Sequence, residues 1–243
     1  TRSGDYEKQK AIPRPGHADF TANVKYGGYE DYRGGGHFSG RLTVGLVAAG
    51  VIAKKLLKEA KPVANILEIG GESDIEKGLQ KAIDQKDSIG GIVECRVNGL
   101  PVGLGEHFFD SVESVLAHVV FSIPAIKGIE FGAGFSAARM FGSDHNDSIL
   151  DASGKTGSNH AGGVVGGITN GNELVFRVAV KPTSSTPKEQ TTWNKETEQL
   201  DTLSVKGRHD LCIALRVPVV LEAVTAMVLA DLMLLEQKIN KIL

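Results

Sequence analysis

The stretch from Val217 to Leu235 constrains this chain more than any other, because it is apolar almost throughout yet carries Glu222 and Asp231. A central acidic side chain costs roughly 2.5–3.5 kcal/mol on membrane insertion. The uncharged run between the two acids, Ala223 to Ala230, is far too short to span a bilayer. The stretch therefore reads as a helix buried in a protein core, from about Pro218 to Asn240, and not as a membrane span. With 243 residues and 41% hydrophobic content, the chain has enough apolar side chains to surround it.

Other elements follow from periodicity. Ser39 to about Lys58 reads as a helix that is apolar nearly all round, hence deeply buried, closing on Lys54, Lys55 and Lys58. Ser73 to Lys86 suits a short amphipathic helix opened by a capping residue. Asp110 can cap a helix whose Val112, Val115, Leu116, Val119, Val120 and Ile123 form one stripe, ended by Pro124. Residues 62–69, 88–98 and 126–140 read as strands, the last with glycine kinks. Alternation of Leu174, Phe176, Val178 and Val180 marks a half-buried strand. Residues 1–36 and 142–171 read mostly as loop, and 182–200 as a polar excursion holding Trp193. No repeat or linker divides the chain, so residues 1–243 are expected to form one domain. Without a regular βαβ rhythm, the class is α+β rather than a doubly wound sheet.

Charge narrows the partners. A net charge of −2 gives no general field for nucleic acid or an anionic membrane, so anion binding has to be local. Cys95 and Cys212 are widely separated in apolar surroundings and form no disulfide framework or zinc motif; they read as buried thiols in a reducing cytoplasm, and no metal is expected. Glycine stands out, with 30 residues against an ordinary usage near ~7%. The glycines cluster, as tight turns and close backbone approaches require.

Four clusters carry the chemistry. Arg14-Pro15-Gly16-His17-Ala18-Asp19 brings a cation, an imidazole and a carboxylate together, although composition alone favours a capped turn with a surface histidine. Arg33-Gly34-Gly35-Gly36-His37-Phe38-Ser39-Gly40-Arg41 precedes a helix, where backbone N–H groups attract anions; a flexible turn accounts for it as well. Neither a P-loop nor a dinucleotide fingerprint fits that cluster. The glycine pairs in Asn159-His160-Ala161-Gly162-Gly163-Val164-Val165-Gly166-Gly167 suit close backbone packing, against a ligand or against another strand. Finally, Lys181-Pro182-Thr183-Ser184-Ser185 follows a strand and offers a cation and three hydroxyls, and Lys206-Gly207-Arg208-His209-Asp210 adds a guanidinium suited to phosphate or carboxylate. Either piece alone reads better as a solvated polar loop or basic turn. Together the clusters point to a phosphorylated or polyanionic small ligand, without naming the reaction.

These motifs, in this order, resemble those of the chorismate synthase family, and Gly103-Leu104-Gly105-Glu106 and Ser122-Ile123-Pro124-Ala125-Ile126-Lys127-Gly128 agree with them. The resemblance implies antiparallel sheets sandwiching a helical layer, a cytoplasmic homotetramer, and a lyase of the shikimate pathway. That lyase converts 5-enolpyruvylshikimate 3-phosphate to chorismate by 1,4-anti elimination with reduced FMN, and NADPH is the reductant associated with it. By the same resemblance His17 and Asp210 are catalytic, one protonating the flavin and the other removing the substrate proton. His37, Phe38, Ser39, Pro124, Ala125, Gly166, Lys181, Pro182, Thr183, Ser184, Ser185 and Arg208 match FMN-contacting positions, and Arg14, Arg41 and Arg208 match substrate-binding arginines.

The chain departs from the family in three places. His37-Phe38-Ser39-Gly40-Arg41-Leu42 stands where many members have Arg-Ser-Ser-Ala-Arg-Glu, which removes a cation and an acid. The stretch from Leu57 to Ser88 is shorter. The family's N-terminal segment, with its Gly-Glu-Ser-His-Gly motif, has no counterpart here; the chain is expected to be the larger, C-terminal part. His107, His118, His145 and His160 lie in no such motif and read as structural or exposed. Two other readings stay open: a catalytically incomplete flavin-binding or oligomer-forming homologue, and an unrelated phosphate-binding module.

Overall fold

The structure is a computed structural model that describes residues 10–205 and 210–237. Its helices longer than one turn are, in chain order, α1 (Asp19–Lys25), α2 (Thr43–Leu57), α3 (Ile75–Gln85), α4 (Val112–Val120) and α5 (Val217–Leu235). The strands are β1 (Pro62–Ile69), β2 (Gly91–Val97), β3 (Ile126–Phe131), β4 (Val164–Val165), β5 (Ile168–Thr169), β6 (Leu174–Val180), β7 (Gln190–Asn194) and β8 (Gln199–Leu203). Four of them form a sheet in the order β1-β2-β6-β3, antiparallel at every pairing. The other strands form two hairpins, β4–β5 and β7–β8. The class is α+β, as the sequence predicts.

The sheet is built around β6, a central strand whose Leu174, Phe176 and Val178 are almost wholly buried. One face of the sheet meets α5, which packs on β1 and β2 and is flanked by α2 and α4. Cys95 on β2 lies 3.8 Å from Thr225 on α5, and both are fully buried. Burial pushes the Cys95 thiol up to about 12, so it stays protonated and acts as a small apolar side chain. Glu222 shows why α5 can carry an acid. Its carboxylate accepts the Ala64 N–H at 3.0 Å and pairs with Lys54 at 2.6 Å, tying α5 to β1 and α2. Length and composition alone would let α5 cross a membrane, but most of it is buried inside the protein. It is a core helix.

Several boundaries move from their predicted places. The polar residues up to 36 include α1 and an irregular 3-10 segment, Arg33–Phe38, while residues 1–9 lie outside the described residues, as does the predicted helical end beyond 237. The cap of α3 is Asp74, accepting from Lys77 N, rather than Ser73. Ser111, not Asp110, caps α4: Ser111 is extended and its Oγ accepts Ser114 N at 3.1 Å, whereas Asp110 closes a preceding 3-10 turn. The predicted strand 126–140 stops at Phe131 and turns into a 3-10 segment, Gly134–Arg139. The polar excursion contains the β7–β8 hairpin, and the glycine-rich loop contains β4–β5 and one helical turn, Gly142–His145.

The larger correction concerns α2, expected to be deeply buried. Only the side carrying Gly50, Ala53 and Leu57 is enclosed; Val44 is 71% and Ile52 65% exposed. An all-round apolar sequence lacks a solvent face, and here α5 covers one side only. Gly50 sets the distance between the two helices, since a Cβ there would sit 2.4 Å from the Ala223 Cβ. In an open helix, Gly→Ala gains about 1 kcal/mol. Here Gly50→Ala pushes two packed helices apart, and overpacking costs about 1–3 kcal/mol. Urea denaturation is expected to show a net loss of stability; an unchanged or higher midpoint would contradict this packing.

Candidate active site

The site begins in the turn before α1. Gly16 takes φ +68°, the left-handed region open to glycine, and the turn closes through His17 N donating to Arg14 O at 3.2 Å. Arg14 is only 8% exposed, and its charge is matched by Asp19. Its Nε donates to Asp19 Oδ2 at 2.7 Å and its Nη2 to Oδ1 at 2.8 Å, a bidentate pair. Asp19 Oδ1 also lies 2.6 Å from His17 Nδ1. Burial pushes the Asp19 carboxyl up, but hydrogen bonds from Arg14 and His17, with their charges, prevail and hold it well below the usual carboxylate range. An ionised Asp19 accepts the proton on His17 Nδ1, and Arg14 Nη2 lies 3.1 Å from Nδ1 and 3.3 Å from Nε2. Gly35, at φ +87°, stands opposite: a Cβ there would lie 3.2 Å from Nε2. A side chain at that position would crowd the nitrogen.

His17 faces a cavity of about 260 Å³ whose walls include Tyr26, Tyr32, His37 and Phe38. His37 and Phe38 thus share a cavity with His17. The glycine triplet does not present a helix N-terminus. Gly34, Gly35 and Gly36 all take positive φ within an irregular turn, and α2 starts only at Thr43. Arg41 holds this turn, donating from Nε to Ser39 Oγ at 2.9 Å and from Nη2 to Gly34 O at 2.6 Å.

The loop after β6 reaches the same turn from the other side of the chain. Lys181 Nζ donates to Gly16 O at 2.9 Å and to Ser184 Oγ at 2.7 Å, and Ser184 Oγ also reaches Gly16 O at 2.7 Å. Arg14 Nη1 donates to Ser185 Oγ at 3.1 Å. Lys181 N donates to Ala125 O at 2.9 Å, next to Pro124. Thr183 Oγ1 is buried without a hydrogen-bond partner. The loop is braced from beneath by two residues that no sequence motif singles out. Ser88 Oγ donates to Thr183 O at 2.7 Å, and Asp87 accepts from Thr186 Oγ1 at 2.7 Å while pairing with Lys188 at 3.3 Å.

Asp210 lies in a second cavity, of about 510 Å³, together with Ser185, Asp87 and Ser88. It pairs with Arg216 at 2.5 Å. The Arg14–Ser185 hydrogen bond links this cavity to that of His17. Arg14, His17, Ala125 and Lys181 through Ser185 are therefore brought together, and Asp210 borders them. Gly166 sits at the β4–β5 turn with open space where a Cβ would be, and no hydrogen bond among the described residues joins it to that group. Arg208 lies outside the described residues. Asp19, inside a motif already noticed, is a structural centre that the sequence did not rank; Gly16 serves through its carbonyl, which no side-chain pattern reveals.

These features define an α+β protein with hydroxyls, ammonium groups and imidazoles converging from distant segments, the equipment of a phosphate-handling enzyme. The family model for chorismate synthase matches residues 1–234. A Chitinophaga pinensis protein named chorismate synthase is 73% identical across all of this chain, which covers 73% of that relative; one from Dehalococcoides mccartyi is 46% identical over 96% of this chain and 72% of its own. A structure described as a crystal structure of chorismate synthase superposes with a TM-score of 0.73 at 29% identity, over 90% of this chain and 70% of the other. The chain belongs to the chorismate synthase family, a family of lyases of the shikimate pathway.

Breaking a buried ion pair strands the remaining charge and costs about 3–5 kcal/mol. Asp19→Asn is therefore expected to lower stability by about 3 kcal/mol at pH 7, read from chemical denaturation. The folded-state pKa of Asp19 is depressed, so its contribution is complete above its unfolded value near ~3.9 and is lost as pH falls below that. The gap between wild type and variant should narrow on acidification; a constant gap, or none at pH 7, would contradict this account.

Proposed function

We propose that this protein converts 5-enolpyruvylshikimate 3-phosphate to chorismate by 1,4-anti elimination, with reduced FMN held by the loop from Lys181 to Ser185 and the cavity of His17. The single observation that carries the reading is the meeting of Lys181 and Ser184 with the Gly16–His17 turn. Family membership supplies the reaction. The residues present suit FMN: an ammonium and serine hydroxyls beside the unpartnered Thr183 Oγ1 match a phosphate monoester, and the Tyr26, Tyr32 and Phe38 walls match a flat ring.

Reduced FMN, when bound, lends electron density to the reaction and recovers it, so there is no net redox change. The protein's residues do the rest. Lys181, Thr183, Ser184 and Ser185 bind phosphate oxygens, with Pro182 fixing the loop. Pro124, Ala125, Gly166, His37, Phe38 and Ser39 are assigned as further flavin contacts. With flavin bound, His17 would supply it with a proton, its ring oriented by Asp19 and Arg14. Asp210, oriented by Arg216, accepts the ring proton of the substrate. As that C–H bond breaks, its electron pair enters the new double-bond system and the C–O bond to phosphate breaks at the far end, releasing inorganic phosphate. Arg41 and Arg208 are assigned to the anionic substrate. Arg14 was expected to share that task, but its Nε and Nη2 are taken by Asp19, so its part is to hold His17 and Ser185 in register.

The same reading includes a cytoplasmic setting, NADPH as the source of flavin reduction, and a homotetramer; the bare apolar side of α2 supports assembly. The test is an anaerobic assay of chorismate formation with reduced FMN. Wild type should turn over, and His17→Ala should lower kcat by about 10²–10⁴-fold, the usual worth of a general acid, with FMN affinity kept within a few-fold. A near-normal rate for His17→Ala would remove its role, and absence of any turnover in wild type would refute the proposed activity.

A further inference from the structure

The loop at Lys181 has a basic neighbour, Lys127, at the end of the adjacent strand. Lys127 is the extra residue of a β-bulge: β3 pairs with β6 as Ile126↔Val180 and then Gly128↔Ala179, so Lys127 has no partner across the ladder. Bulges re-aim a side chain and often stand next to active sites. This one lies where β6 ends, one residue before Lys181. The backbone beside it is also unusual. Ala125 takes φ +77°, a conformation that disfavours a side chain, and its carbonyl accepts the Lys181 N–H. Two irregularities within three residues thus bring Lys127 and Lys181 to the same corner of the sheet.

We propose that Lys127 is a second cation for a phosphate monoester bound at the Lys181–Ser185 loop. Among the described residues, neither ammonium has a carboxylate partner: Lys181 is held by a carbonyl and a hydroxyl, both neutral. Burial lowers the pKa of Lys181, and the positive charge of Lys127 lowers it further. Two like charges set close together without an acid between them repel each other until an anion arrives. A phosphate dianion removes that repulsion and adds charge-assisted hydrogen bonds. Thr183 Oγ1, buried and unpartnered in the same loop, is a further donor for it. Lys127 itself is exposed, so its side chain can swing onto a ligand without opening the core.

This inference rests on the flavin reading above, and the experiment separates the two. Flavin fluorescence quenching gives the Kd of the protein for FMN and for riboflavin, which lacks the phosphate, with Lys127→Gln, Lys127→Arg and Lys181→Gln beside wild type. Lys127→Gln should weaken FMN binding about tenfold, in keeping with loss of one charge-assisted contact. Riboflavin binding should be unchanged, and Lys127→Arg should restore FMN affinity to within about twofold. If FMN affinity holds but binding of 5-enolpyruvylshikimate 3-phosphate to the FMN-loaded protein weakens, Lys127 serves a phosphate elsewhere and the proposal for this loop is overturned. Unchanged affinity for both phosphorylated ligands in Lys127→Gln would overturn it, as would equal loss for FMN and riboflavin. If Lys181→Gln also leaves FMN binding intact, the flavin reading of this loop fails as well.

Discussion

Arg14 and Asp19 are buried side by side, and the arrangement of the site follows from the need to satisfy that pair. A guanidinium out of water must spend its donors on fixed acceptors. Asp19 takes two of them and Ser185 another, so residues far apart in the chain are held in one register. The same carboxylate fixes the His17 ring through Nδ1. One ion pair thereby sets the position of the His17 ring and ties it to the Lys181–Ser185 loop. That is a structural role first, and the chemistry depends on it.

The sheet supplies the other reference point. β6 is buried, central and antiparallel to both neighbours, so the residue that follows it leaves the sheet at a defined point. Gly90 lets the chain turn there, since a Cβ would fall 2.4 Å from Val180 O and 3.3 Å from the Pro182 ring. Asp87 and Ser88, at the approach to β2, then brace the loop from Thr183 to Lys188. The loop is irregular but not loose, which suits the phosphate-binding role proposed for it.

The legible parts of the sequence were those where period and burial agree. β1 falls on residues 62–69 as read, the stripe of α4 is buried at Val112, Leu116 and Val120, and α5 is the core helix that its two acids implied. The hairpin β7–β8 escaped because Gln190-Thr191-Thr192-Trp193-Asn194 is mostly polar, and its pairing rests on backbone bonds that leave little hydrophobic trace. The exposure of α2 escaped for the opposite reason: an all-round apolar helix signals that something covers it, without saying what. At the site, the motifs identified which segments matter, but the braces at Asp87 and Ser88 and the carbonyl of Gly16 act through generic polar atoms. No residue type announces such contacts.

The central claim is that the Gly16–His17 turn and the Lys181–Ser185 loop form two ends of one flavin site. A crystal structure of the protein with bound FMN tests it most directly. The account predicts phosphate oxygens within hydrogen-bonding distance of Lys181 Nζ and Ser184 Oγ, with the ring system against the His17 imidazole. Flavin bound elsewhere on the molecule, or a phosphate lying away from that loop, would contradict it.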